Sequence, residues 1–386
     1  MPEPSVLQIS RPFFAPAELS YLHSLTIPDQ KKLVYNQRKH QVFQFLFQVV
    51  RQLKFPLRVL STAMNYFQRF YLFNMFQNMN DFDTEDLEKD PFTVALTSLF
   101  LASKNEDCIK KLRDIQAVAN KLREIDETRK VVINDSAVSY SDAQRKAIMA
   151  IEYKLLQTIK FDFINGSSIP SIDQLVVIFC KQLDIDYKLT FHCWLISFDI
   201  MSTPSCLMIP PHCMAMAIVI VTLNLRPREL MTKFSSPEHD AEYLSKILES
   251  IDCYGDFKCP ETLVNEAIIY ILDYYVHQMN FSILNEFMPP IDADTGKEQI
   301  FKFMNLKSKF NDLKVLSERS CSSAPLLKQD EYLQVWDYNT SIKGSARFML
   351  GNKRRRFETE TRAELASPLT TPDSNAPPAP PKSTVS

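Results

Sequence analysis

Two charged residues and a scatter of histidines and cysteines are the groups in this chain that could do chemistry. Lys104 closes the apolar run Leu99-Phe100-Leu101-Ala102-Ser103-Lys104, and Glu152 sits inside another, Ile148-Met149-Ala150-Ile151-Glu152-Tyr153-Lys154-Leu155-Leu156. Taken alone, each has an ordinary account. A lysine near a helix C-terminus complements the dipole, and a glutamate in a helix is commonly a solvated face residue. His239-Asp240 resembles the metal pair of helical phosphohydrolases, but that chemistry needs further His and Asp ligands on neighbouring helices; a chance pair at a helix start is the simpler account. His192-Cys193 and His212-Cys213 read as core or loop residues. The eight cysteines are scattered, with no C-x-x-C and no paired knuckles, so no metal ligand set is expected, and the isolated thiols fit a reducing compartment.

Most nucleotide-binding enzymes are excluded by composition. The 386 residues contain five glycines, and only Gly166 falls in the first 250. A P-loop, a dinucleotide-binding turn and a kinase phosphate loop all need glycines where backbone approaches phosphate. There is no H-R-D and no D-F-G, since the Asp-Phe pairs starting at 81, 162 and 256 are followed by Asp, Ile and Lys. No catalytic residue and no cofactor are therefore expected. The formal net charge of −2 gives no global pull toward nucleic acid or anionic lipid. The N-terminal stretch lacks the order of a secretion signal. The longest apolar run, Cys213 to Leu223, is too short to span a bilayer.

Helices must position whatever these residues do. After an arm with Pro12 and Pro16, a short helix is expected over 16–26. From about residue 36 the apolar spacing is helical: Phe43, Leu46, Phe47, Val50 and Leu53 share a face, and Pro56 opens a second helix carrying Leu57, Leu60, Met64, Phe67 and Tyr71. An acidic loop over 80–90 follows. Pro91 starts a third helix, 91–105, apolar nearly all round and so central and buried. Helices are expected at 111–124 and 141–160, with a polar segment over 126–140 between them. Asn165-Gly166-Ser167-Ser168 reads as a linker, after which the plan repeats with helices at 171–184, 187–202, 211–224, 239–251 and 262–280. One further helix is expected over 298–317. Beyond that, Lys353-Arg354-Arg355-Arg356 is a basic cluster, and 366–386 is rich in Ser, Thr and Pro, as disordered chains are.

Several of these runs together resemble the cyclin box. Met64-Asn65-Tyr66-Phe67-Gln68-Arg69-Phe70-Tyr71-Leu72 is similar to its second helix, and Ser98-Leu99-Phe100-Leu101-Ala102-Ser103-Lys104 followed by Glu106 to its third. Lys110-Lys111-Leu112-Arg113-Asp114-Ile115 and Leu155-Leu156-Gln157-Thr158-Ile159-Lys160-Phe161-Asp162-Phe163 resemble the transcription-type cyclins of the cyclin K kind. Ser10-Arg11-Pro12-Phe13, Tyr35-Asn36-Gln37, Leu53-Lys54-Phe55-Pro56 and Asp186-Tyr187-Lys188-Leu189 resemble the cyclin subunits of kinases that act on the C-terminal domain of RNA polymerase II. The resemblance spans roughly residues 10–310.

It implies an all-α chain of two tandem five-helix cyclin boxes. The expected division is an arm over 1–35, boxes over 36–165 and 166–290, a C-terminal helix over 291–320 and a disordered basic, Pro-rich tail over 321–386. By resemblance the chain is a non-catalytic subunit that binds and activates a cyclin-dependent kinase catalytic subunit. The complex phosphorylates the large-subunit tail of RNA polymerase II, promotes elongation and holds a third, gamma subunit. The family pattern places Lys104 and Glu152 as the charged pair facing the kinase, with Leu101, Leu156, Phe161 and Phe163 as apolar contacts. Phe161 and Phe163 are expected in an extended segment with both rings facing one way. The substrate-docking patch of cell-cycle cyclins falls on Arg38-Lys39-His40-Gln41-Val42, too polar for that role. Nuclear localisation is expected, with Lys353 to Arg356 as import candidate. No membrane and no direct nucleic-acid partner are expected. Two other classes remain open: a promoter-binding module with the same double fold, which would need basic residues across the repeats, and a hydrolase built on His239-Asp240.

Overall fold

The computed structural model describes residues 13–14, 16–77, 86–126, 129–133, 136–161, 163, 171–225, 241–253, 255–287 and 293–311. His239-Asp240, most of the acidic loop, the Asn165–Ser168 linker, the basic cluster at 353–356 and the tail lie outside these residues.

The described chain is helical, as expected. α1 covers Pro16–Thr26, α2 Lys32–Leu53, α3 Leu57–Phe73, α4 Pro91–Asn105, α5 Leu112–Leu122 and α6 Tyr140–Thr158. The second set is α7 Ile172–Gln182, α8 Tyr187–Ile200, α9 Pro211–Leu225, α10 Ala241–Ser250 and α11 Glu261–Gln278, followed by α12 Ile283–Phe287 and α13 Ala293–Asn311. α2 starts four residues before the expected 36, out of a 3-10 turn at Asp29–Lys31. α13 starts earlier than the expected 298, and residues 312–317 lie outside the described residues. Its Phe303 is buried and stacks on Tyr275 at 5.3 Å, with Leu306 and Phe310 packed against the same core, so burial against α11 sets its register.

One element was not expected. Within the polar segment before α6, β1 (Lys130–Ile133) pairs antiparallel with β2 (Ser136–Ser139), Lys130 opposite Ser139 and Ile133 opposite Ser136. Val131 is buried in a small satellite cluster with Leu87, Tyr140, Ala143 and Ala147.

The two apolar helices are central. α4 packs against α2, α3, α5 and α6, and α9 against α7, α8, α10 and α11. Three of their hydroxyls are satisfied within the helix: those of Thr97 and Ser98 donate to the carbonyls of Thr93 and Val94, and that of Thr222 to Ile218, each at 2.9 Å. With no exposed stripe, these helices bury side chains such as Leu96, Leu99, Ile218 and Val219 completely, each contributing on the order of 1.5–3 kcal/mol. One apolar cluster runs without interruption from Phe14 to Phe303. Polar ties cross between the two helix sets: Gln68 Nε2 donates to the Met201 carbonyl at 3.0 Å, and Phe14 N–H to Leu207 at 2.8 Å.

His192 and Cys193 are buried on α8, core residues as the plainer account had it. Lys39, in the stretch judged too polar for a docking patch, is itself buried, with its ammonium 6.0 Å from the Tyr35 ring, and burial pulls its pKa down to about 8.

Candidate functional site

α4 is set at both ends. At its start Asp90 caps the backbone N–H groups of Phe92 and Thr93 at 3.2 Å, with Pro91 in the first turn. Arg123 reaches from the end of α5, bonding Asp90 at 2.9 Å with its guanidinium 4.4 Å from the Phe92 ring centre. At the C-terminus Asp107 takes a left-handed φ of 54°, and the N–H of Cys108 returns to the Ser103 carbonyl at 2.9 Å, a Schellman closure. Glu106 then bonds Arg58 at 2.7 Å and Thr62 at 2.8 Å, both on α3. The last turn of α4, which carries Lys104, is therefore held in place.

α6 starts where Ser139 Oγ accepts the Asp142 N–H at 3.2 Å. It buries Ile148, Ile151 and Leu155 and packs against α4. Lys104 Nζ meets Glu152 Oε1 at 2.6 Å. The lysine side chain is 40% exposed and the glutamate 13%, so the cation faces water while the carboxylate is mostly withdrawn from it. The ammonium also stands 3.9 Å from the centre of the Phe100 ring, within cation–π range. The pair uses one ammonium proton and one carboxylate oxygen, leaving both charged groups with capacity to bond a partner's backbone.

Of the expected apolar contacts, Leu156 is half-buried and packed against the core edge, next to Glu152's face. Phe161 is 46% exposed. Phe163 packs partly buried against the core. Leu101 is 4% exposed and belongs to the core cluster, so in the free chain it supports α4 instead of presenting a surface. The segment after α6 is not extended. Lys160 and Phe161 both take left-handed φ values, 53° and 54°, and the Phe161 N–H bonds the Leu156 carbonyl at 3.0 Å. The chain curls over the helix end, so the alternation expected of a strand does not apply, and the two rings differ in burial.

Two residues were missed. Met149 and Tyr153 are 44% and 62% exposed, and with Glu152 and Leu156 they occupy neighbouring positions on one face of α6, three and four residues apart. Their signal was present: two apolar side chains lying off the face defined by Ile148, Ile151, Leu155 and Ile159. The surface thus joins an ion pair to a partly apolar helix face, an arrangement suited to holding another protein.

Three comparisons bear on this arrangement. The family profile of the cyclin N-terminal domain matches residues 12–164. The chain is 31% identical over 303 residues to the CTD kinase subunit beta of Saccharomyces cerevisiae, covering 78% of this chain and 81% of that protein. It is 24% identical over 273 residues to the CTD kinase subunit beta of Schizosaccharomyces pombe, covering 70% of this chain and 69% of the other. Against Cyclin-K of Homo sapiens it is 29% identical over 199 residues, half of this chain and 30% of that one. A chain in the crystal structure of the yeast RNA Pol II CTD kinase CTDK-1 complex superimposes with a TM-score of 0.60 at 26% identity, covering 87% of this chain and 97% of that chain.

Proposed function

The chain belongs to the cyclin family, and from that membership we propose that it is the cyclin (beta) subunit of a kinase acting on the C-terminal domain of RNA polymerase II. The observation that carries the proposal is the Lys104–Glu152 ion pair at 2.6 Å, held at the surface beside the exposed face of α6. These are the positions at which the sequence resembles the kinase-facing pair of cyclins.

In this reading Lys104 and Glu152 bond backbone groups at the start of the kinase's regulatory helix, while Leu156, Phe161, Met149 and Tyr153 give apolar contact. Phe163 and Leu101 stand behind that surface. A kinase is active only when its regulatory helix presents a glutamate to the lysine that binds the nucleotide phosphates. Fixing that helix from outside removes a conformational cost, so the cyclin accelerates a reaction in which none of its own groups takes part.

The similar packing of α2–α6 around α4 and of α7–α11 around α9 supports two cyclin boxes, over 36–165 and 166–290, with an arm before them and the C-terminal helix α13 after them. The complex would hold the cyclin-dependent kinase and a third, gamma subunit, act on serine in the polymerase heptad repeats and work in the nucleus. Lys353 to Arg356 is the import candidate, on sequence grounds.

Reconstitution tests the proposal. The purified chain should transfer no phosphate by itself. Mixed with the catalytic subunit that copurifies with it from native extract, it should raise phosphorylation of a heptad-repeat peptide. Absence of any kinase from the native complex, or a kinase whose activity toward that peptide is indifferent to the chain, would overturn the reading.

A further inference from the structure

The second helix set brings together sulfur and nitrogen donors that are far apart in sequence. His212 and Cys213 lie in the first turn of α9. Cys259 lies in the loop before α11, and its sulfur is 3.5 Å from the His212 carbonyl. One ligand atom from each of His212, Cys213 and Cys259 lies within 4.8 Å of the other two. We propose that His212, Cys213 and Cys259 bind a zinc ion.

The donor set fits zinc. Thiolate with imidazole selects zinc over calcium or magnesium, which take oxygen ligands. Zinc–sulfur bonds of about 2.3 Å and zinc–nitrogen bonds of about 2.0–2.1 Å place tetrahedral ligand atoms roughly 3.4–3.8 Å apart. Starting from atoms within 4.8 Å of one another, the group has to contract by about 1.4 Å at most, within the reach of side-chain rotation. Cys213 and Cys259 are fully buried while His212 is partly exposed, so the thiols hold the ion and the imidazole lies on the side from which it enters. Binding releases one proton from each thiol, and the imidazole binds in its neutral form.

The loop is shaped for the task. The Cys259 N–H returns to the Cys253 carbonyl at 2.8 Å, so the two cysteines stand at the neck of a closed turn. Gly255 N–H bonds the Asp252 carboxylate at 2.7 Å, Lys258 Nζ bonds the Gly255 carbonyl at 2.7 Å, and Lys258 takes a left-handed φ of 55°. A non-glycine residue there is a local cost, spent immediately before the buried cysteine. The ion would staple the start of the central helix α9 to the segment that enters α11. That location is separate from Lys104 and Glu152, and the inference holds whichever kinase the chain serves.

The test uses the full-length chain purified without chelators or affinity metals, analysed by elemental mass spectrometry. About one zinc per chain is expected, held by the three protein donors. Replacing zinc with cobalt should give the intense visible bands and the thiolate charge-transfer absorption of a tetrahedral sulfur site. This reading of the wild-type chain does not depend on whether a cysteine variant folds. Because His212 is partly exposed, His212→Asn should fold and lower zinc affinity at least ~10-fold, the loss seen even for outer-shell partners. A chain free of zinc that shows no tetrahedral cobalt spectrum overturns the proposal. So does zinc retained in full by Cys259→Ser, which would mark an adventitious ion only. A Cys213–Cys259 disulfide in the native chain would also overturn it.

Discussion

Lys104 Nζ lies 2.6 Å from Glu152 Oε1, so the last turn of α4 and the middle of α6 are joined by an ion pair whose cation is at the surface and whose carboxylate is mostly shielded. Such a pair does little for the free chain, since exposed ion pairs contribute about 0–1 kcal/mol. Its situation changes when a partner covers it. Removing one member of a buried pair then leaves the other uncompensated, at a cost of about 3–5 kcal/mol. Lys104→Ala is therefore expected to weaken kinase binding by roughly two to three orders of magnitude. Its melting temperature should stay close to wild type. Titration of the variant against the kinase subunit, beside a thermal melt of the variant alone, checks both halves. Unchanged kinase affinity would remove the pair from the interface.

Phe161 and Leu101 should separate by the same two measurements. Phe161 is 46% exposed, so truncation leaves no cavity in the core, and an aromatic anchor at an interface costs about 2 kcal/mol or more when removed. Phe161→Ala should bind kinase roughly 30-fold more weakly and melt like wild type. Leu101 is 4% exposed, and Leu101→Ala should lose about 2–5 kcal/mol of stability by leaving a cavity. A Phe161→Ala chain that unfolds, or a Leu101→Ala chain of wild-type stability, would reverse the assignments.

That difference shows what the sequence could carry. Helix positions were legible because proline, apolar spacing and the all-round apolar runs of 91–105 and 211–224 are local signals, and α4 and α9 fall where those runs do. The ion pair was legible only through resemblance, since Lys104 and Glu152 are 48 residues apart and each has an ordinary local account. Leu101 was misjudged because a helix buried on all sides offers no pattern that separates a residue under the surface from one on it. The extended geometry expected of Phe161 and Phe163 does not hold because two consecutive left-handed residues, Lys160 and Phe161, follow α6 without a glycine to announce them. The His212, Cys213 and Cys259 group was invisible because its members belong to two elements, and only packing brings them together. The β1–β2 hairpin had a signal, the branched run Val131-Val132-Ile133, that was outweighed by the polar residues around it.

Asp199 should be a stability hot spot remote from the kinase surface. It is buried on α8, and its carboxylate accepts the backbone N–H groups of Ile283 at 2.6 Å and Leu284 at 3.2 Å and the Tyr275 hydroxyl at 2.9 Å. One side chain thus satisfies the start of α12 and fixes it to α8 and α11. Asp199→Ala strands three buried donors, each costing about 1–3 kcal/mol when left unpaired, and a total loss of at least about 3 kcal/mol is expected. Denaturant unfolding of the variant measures it. A loss below 1 kcal/mol, about the least that one stranded donor costs, would mean that water replaces the carboxylate at that site.

His23 gives the pH dependence. It lies in α1 with its ring 6.2 Å from that of Tyr35, and its Nε2 is buried with no hydrogen-bond partner among the described residues. Burial, followed by the positive charges of Lys39 and Lys32, lowers its pKa from 6.5 to about 4. The folded state therefore resists a proton that the unfolded chain accepts. Stability from this group is complete above pH 6.5 and is lost as pH falls from there toward 4, by up to about 3 kcal/mol. Asp199 acts in the opposite direction over much of the same window, because burial pushes its carboxyl up to about 7 and the folded state holds that proton more tightly. The two are separated by difference. Subtracting the pH–stability profile of His23→Leu from that of wild type cancels the Asp199 contribution, and the remainder should fall steadily between pH 6.5 and 4. A difference profile flat across that window would mean that His23 titrates normally and that the α1 contact opens to admit water.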